Sequence, residues 1–518
     1  MHETESRTRY SIRNFAFGIG GYAFSQLVNF AYRTLFIYVL GVTYLGIQGL
    51  FSNVLSILSL AELGVASTIT FSLYAPLAER NWKKTAATMN LLAFIYKIMG
   101  AVVAVAGLSL LPFLDVFIKD RPDINNLGII YLMFLADSVV TYFFAYKRTL
   151  IIADQKAYIN TLNTQVFFLI RTVLQIFALL LFKNFILLLG IQIASSLIAN
   201  ITISIKADRM YPQIKKYSDE KLCRDDRKSL WKKVYAMALH KLGATAAGGT
   251  SNLLISTFIG IVAVGLYANY VMIVSVLHRL IDQLFTSVAA SVGNLVSVDD
   301  SSRSKNIFDT LYFANAWIYF FCSVVLTTLF NPFITMWIGT EFTFQFPVVV
   351  LIVVAFYMEG LRKSILAFRN ALGLFYIDRF KPIAEGVTNL VVAIILLQFW
   401  GVEGVFIGII ACKLISLVVE PYVLFKYYFK DGLIKYYVDY LCYFCTAFGA
   451  AVVLQLVAEH VFKHTWNSLL LLFVITLIFP NLLFWVLFRG TSKYKDFFRR
   501  VKNVIIHRDM NPDALDIK

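Results

Sequence analysis

Residues 29–79 read NFAYRTLFIYVLGVTYLGIQGLFSNVLSILSLAELGVASTITFSLYAPLAE, two membrane-length apolar stretches, each interrupted by one deep charge, Arg33 in the first and Glu62 in the second. Apolar runs of roughly 18 or more residues are long enough to cross a hydrocarbon core about 30 Å thick as helices. A charge at mid-depth costs about 2.5–3.5 kcal/mol on insertion scales, so it must face a partner or a watery cavity, and such residues gather along pathways for polar cargo. The stretch therefore points to a helical membrane protein with a transport pathway.

The rest of the 518 residues agree with that reading, because 59% are hydrophobic and only 15% charged, against about 25% charged in soluble domains. About fourteen apolar runs of spanning length can be counted, among them 13–40, 44–73, 126–146, 159–182, 437–458 and 467–488. The net charge of +16 would fit nucleic acid if it were clustered on a soluble face. With the N-terminus placed inside, however, only Lys119, Arg121, Lys183 and Lys463 fall in outer loops. This is a strong positive-inside bias, which sets both termini on the cytoplasmic side and gives the excess charge a role toward anionic lipids. No nucleic-acid partner is expected. The first fourteen residues lack a short apolar core followed by a cleavage site, so no signal peptide is expected to be removed. None of the five cysteines suggests an external disulfide framework, and Cys442 and Cys445 read as lipid-phase packing.

The outer loops are short, the longest being 114–125 and 331–344, which leaves no room for a folded outer domain and disfavours membrane glycosyltransferases or polymerases with large outer loops. The longest inner connection, 206–234, carries ten Lys and Arg against five acids and reads as a basic linker. Gly49-Leu50-Phe51-Ser52-Asn53 and Gly265-Leu266-Tyr267-Ala268-Asn269 open the second and eighth spans at an offset of 216 residues and read as an internal repeat. Six spans separate the copies. An even number preserves orientation, so the halves should be related by an axis along the membrane normal, with a cargo site between them. The expected organisation is a six-helix lobe over 1–205, the linker 206–234, a second lobe over 235–425, two additional spans within 426–488 and a basic tail over 489–518. Pro480 should kink the last span locally, because a backbone donor is missing there.

Cations within spans are Arg33, Lys97, Arg171, Lys241, Arg279 and Lys413, and acids are Glu62, Asp137, Asp282, Glu359, Glu385 and Glu420. The signs balance, so buried ion pairs can account for much of the set. Lys97 and Lys241 lie near helix ends, where a long stem can snorkel to the interface. Glu359 precedes Arg362 and Lys363 by three and four residues, the spacing of self-pairing on one helical face. Arg33, Arg171 and Arg279 remain as deep guanidiniums that do not deprotonate in proteins. Each needs a carboxylate, carbonyls, water or an anionic ligand, and the planar fork suits bidentate phosphate or carboxylate recognition. Glu62, Asp137 and Asp282 with Asn53, Asn269 and Gln283 are further candidates for a polar cavity or for coupling; for each amide alone, interhelical hydrogen bonding is the competing explanation.

No nucleotide-binding loop, no metal-ligand spacing and no outer carboxylate pair occurs. No cofactor and no covalent chemistry are therefore expected. The run from Tyr32-Arg33-Thr34 through Tyr44-Leu45-Gly46-Ile47-Gln48-Gly49-Leu50-Phe51, Leu58-Ser59-Leu60-Ala61-Glu62-Leu63-Gly64 and Leu73-Tyr74-Ala75-Pro76-Leu77-Ala78-Glu79 resembles the polysaccharide transporter, or Wzx-type flippase, family. Gly265 to Tyr270 followed by Ser291-Val292-Gly293-Asn294-Leu295-Val296 is similar to that family's eighth span. The resemblance implies the multidrug/oligosaccharidyl-lipid/polysaccharide (MOP) exporter fold, two six-helix lobes alternating between inward and outward openings plus two extra helices. It implies a polyprenyl-pyrophosphate-linked oligosaccharide as cargo for capsule, exopolysaccharide or O-antigen assembly, with membrane lipids, a polysaccharide polymerase and glycosyltransferases as partners. It also implies that Arg33 and Arg279 grip pyrophosphate, whereas Glu62 departs from the basic residue that lipid II flippases carry in span two. A cation-coupled multidrug exporter of the same fold is the nearest alternative, with Asp137 or Glu62 as the coupling carboxylate; a membrane polymerase or glycosyltransferase is a more distant one.

Overall fold

A computed structural model of the chain describes residues 24–59, 65–119, 124, 126–217, 219–228, 230, 231, 234, 251–298, 301–374 and 377–510. Among them the chain is helical, with no strand. Ten helices are long and apolar enough to cross a membrane, and Val42–Leu58 and Ile69–Ala78 are shorter apolar helices. The protein is an all-α polytopic membrane protein. By its internal contacts it divides into two compact units, Met1–Asn269 and Tyr270–Lys518.

The first unit runs through α1 (24–40), α2 (Val42–Leu58), α3 (Val65–Ala78), α4 (Trp82–Leu110), α5 (Leu127–Ala153), α6 (Ala157–Phe182), α7 (Phe185–Met210), helical residues 251–258 and the start of α8 (Ile261–Val298). Boundaries follow local chemistry. Gly41, at φ 85, ends α1 in the left-handed region open to glycine. Asn81 accepts a hydrogen bond from the Lys84 amide and so caps α4, and Asn184 does the same for the amides of Ile186 and Leu187 in α7. Where sequence predicts one span over 44–73, helix α2 stops at Leu58 and α3 begins at Val65.

In α6 the usual arrangement of a soluble helix is inverted. Leu162, Val166, Ile170, Val173, Phe177 and Leu181 recur at steps of three and four and are all exposed, 72% for Leu181, while Thr172 and Gln175 are buried. The Gln175 amide is satisfied by the Leu188 carbonyl at 3.0 Å. In water an apolar stripe of this kind would be an association surface; in a bilayer it is the face that meets lipid tails, and the polar groups turn inward.

The second unit continues α8 and adds α9 (Ser301–Ile338), α10 (Phe346–Ala371), α11 (Lys381–Trp400), α12 (Val402–Leu424), α13 (Leu433–Val461), α14 (Trp466–Phe488) and α15 (Ser492–Met510). Helices α8 and α9 have 38 residues each, about 57 Å at 1.5 Å per residue, so they extend well past a core about 30 Å thick. The core of this unit is aromatic. Phe308, Tyr312, Phe313 and Phe320 of α9 are buried against Tyr436 and Tyr443 of α13 and Phe484 of α14. Helix α14 passes through Pro480 without interruption and opens on a capping box between Thr465 and Ser468.

Candidate functional site

In the first unit α1 and α8 meet at a polar contact. Arg33 of α1 donates from Nε to Oδ1 of Asn269 at 3.0 Å, and Asn269 is fully buried. Arg33 Nη2 and Asn269 Nδ2 are both buried without a protein hydrogen-bond partner. A guanidinium anchored on one edge and unsatisfied on the other is arranged to receive an anion, because its remaining donors carry a full desolvation cost until they are met. The two repeat asparagines differ in use. Asn53 donates back to the Gly49 carbonyl in its own helix at 2.8 Å, whereas Asn269 holds Arg33.

What lets α2 approach α8 is glycine. A Cβ on Gly265 would meet the Val42 carbonyl oxygen at 2.5 Å and Val42 Cγ2 at 2.6 Å, and one on Gly46 would run into the Ile261 carbonyl oxygen. Helices α2 and α8 thus come into backbone contact at Gly46 and Gly265, the close approach that small residues permit between membrane helices.

Arg171 lies on the inward side of α6, where its guanidinium stands over the Phe168 ring at 5.5 Å and its Nε is buried without a partner. Its charge acts on Asp137 and Tyr32. Asp137 accepts from Gln192 through Oδ2 at 2.8 Å and leaves Oδ1 buried and unpartnered. Between α5, α6 and α7 lies a cavity of about 250 Å³, lined among others by Arg148, Asn160, Asn163, Phe168, Arg171 and Asn200. Arg148 donates from Nη2 to Asn200 Oδ1 at 3.1 Å and keeps a buried, unpartnered Nε, while Asn163 donates to the Ala199 carbonyl at 3.0 Å. Arg148, Asn163 and Asn200 are not among the residues singled out from sequence. Arg148 sits just beyond the apolar run ending near 146 and reads as a loop charge there; its spacing of seven from Thr141, which also lines the cavity, is the signal that places it on the same face of α5.

The remaining residues predicted from sequence are dispersed. Lys97 is exposed on α4. Glu62 and Lys241 lie outside the described residues. In the second unit Arg279 is exposed and Gln283 half-buried on α8, and Asp282 forms an ion pair with Lys363 of α10. Near them, His278 faces Tyr319 at 3.4 Å and stacks obliquely on Phe356, ring centroids 4.7 Å apart.

A dense charge cluster also forms in the second unit. Glu359 pairs with Arg362 at 2.8 Å and with Lys413 at 2.6 Å. Glu420 receives both Arg362 Nη2 at 2.7 Å and Nε at 3.0 Å, together with Arg369 at 3.2 Å and Lys381. Arg369 reaches Asp378 at 2.6 Å, and Lys381 reaches Glu385 and Ser416. Four bases thus meet four acids, which closes the cluster on itself and makes it a clamp among α10, α11 and α12. The expected pair of Glu359 with Arg362 is present, whereas Lys363 turns to Asp282.

No family model and no curated protein sequence matches the chain. Solved structures do. The inward-facing conformation of a multidrug resistance MATE family transporter of the MOP superfamily is similar with a TM-score of 0.60 and 14% identity, over 78% of this chain and 94% of that one. The lipid II flippase MurJ in its inward closed conformation is similar with a TM-score of 0.60 and 14% identity, over 91% of this chain and 98% of that one. A mutant of the Vibrio cholerae MATE transporter VcmN is similar with a TM-score of 0.54 and 16% identity, over 84% and 99%. The chain shares the helical fold of MATE transporters and of MurJ.

Proposed function

We propose that the protein is a flippase that moves polyprenyl-pyrophosphate-linked oligosaccharide units across the bacterial cytoplasmic membrane by alternating access, with both termini cytoplasmic. The observation that carries this reading is Arg33, half-buried, with its guanidinium fixed through Nε by Asn269 and its buried Nη2 lacking a protein partner. A permanent cation so placed is suited to pyrophosphate, whose oxygens accept from the edge of the fork that Asn269 leaves free. Arg171 and Arg279 are proposed as further contacts for pyrophosphate or acidic sugar, and Lys97, Lys241, Glu62, Asp282 and Gln283 as accessory polar groups. In this reading 1–205 and 235–425 form the two lobes, 206–234 the basic linker, and 426–488 the additional pair before the tail 489–518. Of the solved structures that share the fold, one is a multidrug resistance transporter and another a lipid II flippase, and the cargo proposed here is of the second kind. No catalysis is assigned. Polymerase and glycosyltransferases are the proposed partners.

Replacing Arg33 by Ala in a strain that depends on this protein is the direct test. The variant is expected to accumulate in the membrane as folded protein while lipid-linked units collect on the inner leaflet and surface polysaccharide falls by an order of magnitude or more. Undiminished surface polysaccharide at equal protein level would refute the assignment. A second reading, cation-coupled drug export, is favoured by one observation, the buried and unpartnered Oδ1 of half-buried Asp137; drug sensitivity of a deletion strain separates it from the first.

A further inference from the structure

The cavity between α5, α6 and α7 is lined by polar side chains, two aromatic rings and two guanidiniums. Asn160, Asn163, Phe167, Phe168 and Arg171 line it from α6 at spacings that keep them on one helical face. At 1.5 Å per residue, Asn160 and Arg171 stand about 16 Å apart along that face. Amides and hydroxyls come from all three helices, two aromatic rings flank them, and two guanidiniums, Arg148 and Arg171, complete the wall. No acidic residue lines it. Asp137 acts on Arg171 from a neighbouring position, but its Oδ2 is engaged by Gln192. In the second unit every arginine of the charge cluster is bound to a carboxylate, and the contrast is physical. Arg148 has only a neutral amide oxygen as partner at Nη2 and nothing at Nε, and Arg171 has only a ring face and nothing at Nε. Neither guanidinium is hydrogen-bonded to a carboxylate, Asp137 acting on Arg171 only through its charge, and a buried guanidinium nitrogen without an acceptor is costly to keep dry. An anion in the cavity removes that cost. At about 250 Å³ the cavity is smaller than the roughly 300–1,000 Å³ of sites for drug-sized ligands, so it admits one compact group. Its many neutral donors and acceptors match a hydroxyl-rich group rather than a bare inorganic ion.

We propose that this cavity is a recognition subsite for a negatively charged sugar residue, with the guanidiniums of Arg148 and Arg171 as the groups that face its carboxylate, the lining amides for the hydroxyls of that residue and of the sugar next to it, and Phe168 against the ring. The inference deepens the flippase reading and rests on it in one respect, that the sugar belongs to the cargo. It narrows the cargo to glycans that contain an acidic residue and separates the sugar subsite from the pyrophosphate contact at Arg33. The same chemistry, an anion carried on a polyol, is offered by the headgroup of phosphatidylglycerol, so the test must tell the two sources apart.

The full-length protein in phosphatidylcholine nanodiscs is titrated calorimetrically with two soluble oligosaccharides of equal length, a carboxylated hyaluronan hexasaccharide and neutral maltohexaose. Hydrogen bonds to charged groups are strong enough that the carboxylated probe is expected to bind at least about tenfold more tightly. Arg148→Gln should abolish that preference, Arg148→Lys should retain part of it, and Asn160→Ala should weaken both probes. Size-exclusion elution and thermal unfolding report that the variants are folded, and Asn160→Ala serves where an Arg148 variant is not. Equal affinity for the two probes, no binding of either, or a preference untouched by Arg148→Gln overturns the proposal. Loss of the carboxylated probe's binding when phosphatidylglycerol is included overturns it in favour of a lipid headgroup. Because the probes contain neither lipid nor pyrophosphate, a protein that binds them with this preference but moves no lipid-linked sugar keeps the subsite and loses the flippase reading. A protein that translocates without the preference does the reverse.

Discussion

Replacing Glu420 by Gln should be among the most destabilising single changes available in the second unit. The Glu420 side chain is 1% exposed and accepts from Arg362 through two nitrogens, from Arg369 and from Lys381, whose own side chains are 16%, 7% and 5% exposed. The local sum is four bases, Arg362, Arg369, Lys381 and Lys413, against four acids, Glu359, Asp378, Glu385 and Glu420. Gln at 420 keeps the size of the side chain, removes one charge and leaves the cluster with a net positive charge in a place where water cannot enter freely. Breaking a buried pair by removing one partner costs about 3–5 kcal/mol, because the other charge stays behind uncompensated. For a unit of this size about 2–4 °C of melting temperature follows each kcal/mol, so the midpoint should fall by about 6–20 °C. Purified protein in a mild detergent, unfolded by heat and followed by helical circular dichroism, gives the number. Adding Lys381→Met to Glu420→Gln restores neutrality and should recover a substantial part of the loss. A fall below about 1 kcal/mol, the size found for exposed pairs, would refute the reasoning, since it would mean that the cluster is solvated.

Two further outcomes are expected. Gly265→Ala puts a methyl group 2.5 Å from the Val42 carbonyl oxygen and should cost about 1–3 kcal/mol by overpacking, seen as reduced yield of monodisperse protein; Gly449→Ala, with nothing within 4 Å of the new atom, should leave the yield unchanged. In the linker, the hydrogen bonds that Asp226 accepts from Lys84 and Cys223 hold its carboxyl below the ordinary value of 3.8. Since the folded value is depressed, the 2.8 Å pair with Lys84 is present at neutral pH and is lost only as pH falls through that lowered value; a carbon-13 titration of the Asp226 carboxyl with a midpoint at or above 3.8 would remove the basis for it.

The class of fold is legible in the sequence because the bilayer imposes a length and a polarity on every span, and α6 and α14 fall almost where apolar runs place them. What the runs do not report is where a helix goes after it leaves the lipid. Helix α9 begins at Ser301 in polar sequence stiffened by the i, i+4 pair of Lys305 and Asp309 at 2.5 Å, which no hydropathy pattern marks as part of a span. The candidate site was half visible. Arg33 and Asn269 each stand out as polar groups in apolar surroundings, but their bond joins positions 236 residues apart, and nothing local encodes that pairing. Arg148 escaped notice for the opposite reason: it lies at the edge of an apolar run, where a charge is unremarkable until the helix is known to continue to Ala153. The charge cluster shows the same limit, since equal numbers of acids and bases foretell neutrality without saying that Glu420 would collect three of the bases.

The crossing of α2 and α8 carries a consequence for how such a chain can change over generations. The obstacle each glycine avoids is a main-chain oxygen, that of Ile261 for Gly46 and that of Val42 for Gly265. A bulky side chain acquired at one of these positions cannot be accommodated by a smaller residue at the other, because substitution never shortens a peptide group. The facing stretches of α2 and α8 are therefore free to change in almost every respect except here, where each helix must keep its own glycine.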